Sequence, residues 1–209
     1  MKKVAVFDFD GTLIPFNSFK FFCIFFMLSC VFTLNFGSFW KTLKLFYSRK
    51  FKNISHVDFK EKLCKLYMEM GNPFCSFFSK SLMLFLRKDI LAELRKWQSN
   101  TEVITILSTA APSAYALKVG ELLKCDMTIG AFGYSSNNFL IHENIGFLKA
   151  DNLRKHFHGV ENVRFIVAYS DSRDDLPLFE MSEIKILVYP GQKDIVALDE
   201  KKIEYRIFL

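Results

Sequence analysis

A chain of 209 residues that is 51% hydrophobic, with 25 phenylalanines, is a packed protein and not a disordered or linker-like one. Its 28 basic and 22 acidic residues, formal net charge +6, suit an anionic substrate, an anionic membrane surface or nucleic acid. No basic run interleaved with aromatics, zinc-finger spacing or helix-turn-helix pattern favours nucleic acid, so none is expected as a partner.

"KKVAVFDF" at the amino terminus reads as a buried strand ending at a turn, since Gly11 and Thr12 follow and Pro15 blocks simple continuation. Asp8 and Asp10 interrupt its apolar run within ten residues, unlike a signal peptide. From 15 to 98 the pattern is helical: in "FKEKLCKLYMEM" Phe59, Leu63, Leu66, Tyr67 and Met70 share one helical face.

Within this insert, Phe21 to Trp40 runs without a charge between Lys20 and Lys41, long enough to span a bilayer. A single crossing would separate Asp8 from the downstream site residues, which leaves buried helices, an interfacial anchor or a returning hairpin. Lys41, Lys44, Arg49, Lys50 and Lys52 follow without an acid, so peripheral membrane contact through 19–52 is an expectation.

Beyond the insert, "EVITILST" (102–109), "DMTIG" (126–130), "VRFIVAYSD" (163–171) and "IKILVYPG" (184–191) read as strands covered on both faces. Helix-like stretches alternate with them, at "APSAYALKVGELLK", "KADNLRKHF" and "RDDLPLFEM". The expected fold is α/β, a Rossmann-like parallel sheet formed by 1–14 and 99–209 with an α-helical cap at 15–98. Five cysteines without a CxxC pair suggest small buried hydrophobes in a reducing cytosol. His142, His156 and His158 read as surface residues.

Asp8, Asp10, Asp171 and Asp175 lie at or just beyond strand ends, which a parallel sheet brings to one crevice. Four carboxylates there repel one another unless a divalent cation holds them, and oxygen-only ligands select Mg²⁺. A carboxylate beside Mg²⁺ can attack phosphorus, and a second acid two residues on can protonate the leaving alcohol and then activate water. Ser108 and Lys149 are candidates for holding the phosphoryl group, with Thr109 competing with Ser108. The bland alternatives are a strand-ending serine and a surface lysine opening a helix, with Lys118 a poor substitute for Lys149.

"DFDGTL", a serine after the second strand, a downstream lysine and "YSDSRDDLP", in this order, resemble the haloacid dehalogenase superfamily over nearly the whole chain. The cap position resembles the phosphoserine-phosphatase-like branch, while the oily cap and "YSDS" also resemble phosphatidylglycerophosphatase-like members. The resemblance implies a phosphoric monoester hydrolase with Asp8 as nucleophile, Asp10 as general acid/base, and Ser108 and Lys149 on the phosphate. It implies Mg²⁺ on the Asp8 carboxylate, the Asp10 main-chain carbonyl and Asp171, supported by Asp175, with Asp174 a lesser candidate. Substrates would be small-molecule or lipid-linked phosphomonoesters, in the cytoplasm or at a membrane surface. Phosphoryl transfer to another hydroxyl, or an idle membrane-docking module, are the competing readings. Two departures stand out: Ser170 replaces a glycine common before the fourth-motif aspartate, and Asn17 replaces the glutamate that phosphoserine phosphatases use for the substrate's amino group.

Overall fold

The computed structural model describes residues 2–138, 140–160 and 162–209, and of 72–75 the backbone alone. Strand β1 (Lys2–Phe7) leads into five helices, α1 (Ser18–Phe32), α2 (Phe36–Lys50), α3 (His56–Met68), α4 (Asn72–Leu82) and α5 (Lys88–Gln98). There follow β2 (Val103–Pro112), α6 (Ser113–Leu122), β3 (Met127–Ala131), a small hairpin of β4 (Gly133–Tyr134) and β5 (Leu140–Ile141), and α7 (Phe147–His156). The chain closes with β6 (Val163–Ser170), α8 (Leu176–Glu180), β7 (Ile184–Val188), α9 (Gln192–Glu200) and β8 (Arg206–Phe208).

Six strands form one parallel sheet in the order β3-β2-β1-β6-β7-β8. The order reverses at β1, so its carboxyl end lies at the switch point where α/β sheets bind ligands. Alternation along β1 divides two cores. Val4 and Val6 pack with Leu153, Phe179 and Leu198 beneath α7, α8 and α9. Ala5 and Phe7 face α5, α6 and the inserted helices, where Phe22 meets Tyr67, Phe78 and Tyr115 at ring-centroid distances of 4.7, 5.4 and 5.3 Å. Each such ring contributes about 1.5–3 kcal/mol by leaving water, so the insert and the sheet share one core.

The four later strand expectations hold, with β2 longer than expected and three short strands added. β2 runs on to Pro112, because after a register slip past Ser108 it pairs again with β3 at Ala131. The three-residue edge strand β8 and the two-residue hairpin strands are too short to carry a pattern. Helix α5 lies against the sheet: Trp97 donates to the Tyr169 hydroxyl at 3.1 Å, and that hydroxyl donates to Glu93 at 2.8 Å.

The charge-free stretch is two helices broken at 33–35, and among the described residues no helix is long and apolar enough to cross a membrane. Cys23, Cys30 and Cys64 are buried, Cys125 is half-buried, and all four thiols are free. The side chain of Cys75 lies outside the described residues. His142 and His158 are exposed, but His156 is half-buried, and burial pushes its pKa down.

Candidate active site

The chain leaves β1 as a tight loop. The Asp8 N–H donates to Tyr169 O at 2.9 Å, and the Ile14 N–H returns to Phe9 O at 3.0 Å. Phe9 is fully buried, so Asp8 and Asp10 stand on the crevice side of the loop. Gly11 has φ +78°, and a Cβ there would lie 2.0 Å from Asp171 Oδ2; only glycine lets this loop approach the end of β6. Thr12 Oγ1 also faces Asp171 Oδ1, at 3.4 Å.

Asp10 meets the amino end of α1, where the Ser18 N–H donates to its Oδ1 at 3.0 Å. Burial raises the Asp10 pKa, opposed by the Ser18 hydrogen bonds and by the charges of Lys60 and Lys149. Asn17 caps the same helix by accepting from Lys20 N at 3.0 Å. Its side chain is exposed and serves as the helix cap.

Lys149 enters from the first turn of α7 and is buried between two carboxylates. Its Nζ lies 2.9 Å from Asp8 Oδ1 and 2.5 Å from Asp175 Oδ2, and Ser170 Oγ donates to the same Asp175 oxygen at 2.7 Å. The serine that departs from the family glycine is therefore a second donor group in this buried cluster, beside Lys149. Burial works against the Lys149 charge, but Asp175 and Asp8 outweigh it and hold the ammonium above the usual lysine range. Burial, opposed by Lys149 and reinforced by Asp175 and Asp171, pushes the Asp8 carboxyl up to about 8. Burial likewise pushes Asp171, just past β6, to about 6.

Ser108 sits where β2 slips register against β3, and is fully buried. Asn144 Nδ2 donates to Ser108 Oγ at 3.1 Å and also lies 3.0 Å from Thr109 O and 3.1 Å from Ile129 O. Asn152 of α7 fixes Asn144 by donating to its Oδ1 at 3.0 Å. Because Ser108 Oγ accepts from Asn144, its own O–H is left to donate elsewhere. Thr109 is buried too, but its Oγ1 accepts from Ala111 N at 3.1 Å, which braces the slipped segment.

Lys149 supplies one positive charge against Asp8, Asp171 and Asp175, and two of those carboxyls are pushed up towards neutrality by their surroundings. An oxygen-only site short of positive charge fits a hard divalent cation such as Mg²⁺. Among the described residues no three His, Cys, Asp or Glu side chains converge on a metal position. The expected ligand set has only two carboxylates, its third member being the main-chain carbonyl of Asp10. Asp175 Oδ2 is occupied by Lys149 and Ser170, so the contact it makes here positions the lysine. Asp174 and Lys118 are exposed or partly exposed away from this cluster, Asp174 N bonded to Ser172 Oγ and Lys118 paired with Glu121.

Three further residues complete the surroundings, and none stood out in the sequence. Asn144 reads there as one more loop asparagine. Arg87 binds the loop after β1 twice, through its N–H to Leu13 O and its Nη1 to Gly11 O, both at 2.8 Å, while its guanidinium stacks 4.1 Å from the Tyr189 ring. Lys60, from α3, places Nζ 5.0 Å from the Phe19 ring and 5.8 Å from the Phe132 ring. Burial lowers its pKa, and Asp10 opposes that shift.

No curated protein matches the sequence. A protein of unknown function from Bordetella pertussis Tohama I superposes with a TM-score of 0.76 at 15% identity, over 100% of this chain and 99% of that one. A phosphoserine phosphohydrolase-like protein from Francisella tularensis subsp. tularensis SCHU S4 gives 0.56 at 15% identity, over 100% and 95%. The hydrolase t0658 of Salmonella enterica serovar Typhi gives 0.55 at 13% identity, over 98% and 67%. At such identities the likeness is one of fold. The sequence family described as haloacid dehalogenase-like hydrolase, in contrast, matches residues 5–180, a span running from β1 through the carboxylate cluster, and the chain belongs to that family.

Proposed function

We propose that the protein is a Mg²⁺-dependent phosphomonoester hydrolase working through an aspartyl phosphate. Asp8 Oδ attacks phosphorus and the P–O bond to the alcohol breaks, while Asp10 gives its proton to the departing oxygen. Asp10 then takes a proton from water, whose oxygen attacks the same phosphorus and returns Asp8 as a free carboxylate. Ser108, with Thr109 beside it, and Lys149 bind the phosphoryl oxygens, and Lys149 offsets the charge on Asp8. Mg²⁺, held by the Asp8 and Asp171 carboxylates and the Asp10 carbonyl and supported by Asp175, would supply charge neutralisation and orientation of the phosphate. The inserted helices act as the cap that keeps bulk water out.

The observation that carries this reading is the buried Lys149 bridge to Asp8 at 2.9 Å, with Asp10 two residues on at the head of α1. Asp8→Asn should abolish steady-state phosphate release and the acid-stable, hydroxylamine-labile protein phosphate. A variant that still turns over, contamination excluded, overturns the mechanism. An added acceptor alcohol separates hydrolysis from transfer by its products.

A second reading concerns the substrate. A groove of about 470 Å³ between α1, α2 and α3 is lined by Phe19, Cys23, Ile24, Met27, Phe46 and Phe59, with Lys20 and Arg49 at its edge. Phe19 also lies against Lys60, whose charge acts on Asp10. Such an apolar groove favours a phosphomonoester with an aliphatic tail, and Mg²⁺-dependent release from lipid phosphates in mixed micelles, compared with soluble esters, tests it.

A further inference from the structure

Helices α1 and α2 are apolar on two sides. One side, with Phe22, Phe26 and Cys30, is packed into the core. The other carries Ile24, Leu28, Phe32, Leu34, Phe36 and Trp40, each more than half exposed, with Phe32 at 83% and Leu34 at 71% around the turn at 33–35. Together they present on the order of 700 Å² to water, more than the largest apolar patch of an ordinary monomer.

The charge is as unevenly placed. From Gly11 to Val57 there are six basic residues (Lys20, Lys41, Lys44, Arg49, Lys50 and Lys52) and no acid, which equals the whole formal net charge of +6. The rest of the chain balances, with 22 basic and 22 acidic residues. None of the six lies between Phe21 and Trp40, so the turn is uncharged and the cations stand behind it along α2 and at the foot of α1.

We infer that the α1–α2 turn docks on an anionic lipid bilayer, with Phe32, Leu34 and Phe36 in the acyl boundary, Trp40 at the headgroups and the lysines on the lipid phosphates. Charge decides this against a second copy of the chain, since a dimer through this face would set two collars of six cations against each other. Each helix is about 22 Å long, shorter than the hydrocarbon core, so the contact is interfacial. The inference stands apart from the phosphatase reading, because binding is measured without turnover.

The test is flotation of the full chain with vesicles of phosphatidylcholine alone and of phosphatidylcholine mixed with phosphatidylserine. Binding to the mixed vesicles is expected, with a blue shift of Trp40 emission and loss of binding in high salt. Phe32→Ser with Leu34→Ser should lower the partition coefficient at least tenfold at an unchanged melting temperature, and Lys41→Gln should lower it about fivefold on anionic vesicles only. Failure of the folded wild-type chain to bind either vesicle overturns the inference. So does a Phe32→Ser, Leu34→Ser chain that binds vesicles as before but sediments as a monomer where the wild type is a dimer.

Discussion

Asn144 holds Ser108 by a 3.1 Å bond from its side-chain amide, and Asn144 is in turn held by Asn152 from the helix that also carries Lys149. The two groups proposed to grip a phosphoryl oxygen are thus joined by a relay of two buried amides, which sets the direction of the Ser108 hydroxyl.

Asn144→Leu removes that relay without touching the reacting carboxylates. Catalytic efficiency should fall about tenfold, the equivalent of one neutral hydrogen bond, with inhibition by free phosphate weakened in parallel. Steady-state kinetics with phosphate as competitor measures both. An unchanged phosphate inhibition constant would detach Ser108 from the phosphate.

Gly11→Ala meets Asp171 at 2.0 Å and must also hold φ near +78°. Displacing the Asp171 carboxylate by about 1 Å should cost on the order of 100-fold in turnover, against a stability loss of about 1–2 kcal/mol. Comparing kcat with the melting temperature separates the two.

Proton and cation compete for the same carboxyls. Asp8 and Asp171 are pushed up to about 8 and about 6, so in the metal-free protein they take up protons as pH falls through this range. Their raised values also mean that the metal-free fold loses stability as pH rises above the unfolded carboxylate range, because the native state favours the neutral form. Mg²⁺ binding needs the ionised form, so the rise in melting temperature it produces should be larger at pH 8.5 than at pH 5.5. Thermal melts with and without Mg²⁺ read this directly; an equal shift at both values would remove Asp8 and Asp171 from the metal site.

Lys60 opposes the upward shift of Asp10 by its charge, so Lys60→Met should raise the Asp10 pKa. The alkaline limb of the kcat/KM profile, where the proposed proton donor is lost, should move to higher pH. The same limb in Lys60→Arg should stay in place.

β1, β2, β6 and β7 are legible because buried parallel strands are apolar on consecutive positions, and the candidate site residues are legible with them: Asp8 and Asp171 stand just past β1 and β6, and Ser108 follows the apolar run of β2. Asn144 is not legible, because an asparagine in a loop carries the same local signal whether it caps a turn or binds a buried hydroxyl. Neither is Arg87, whose partners at Gly11 and Leu13 lie more than seventy positions away in sequence. In α1, Phe22, Phe26 and Cys30 on one side and Ile24, Leu28 and Phe32 on the other are all apolar, so periodicity cannot separate core from surface. The packing of α3, α4 and α6 decides which side is covered.

α1 begins on the Asp10 carboxylate and ends at Phe32, in the exposed turn. A helix of that length is a stiff rod of about 22 Å, and a tilt of about 5° moves its far end by about 2 Å while turning the near end through the same angle. The Ser18 N–H that meets Asp10 would turn with it, and hydrogen bonds are sensitive to direction. A load that tilted the rod at the exposed turn would therefore reach Asp10, the proposed proton donor, through the direction of that one hydrogen bond.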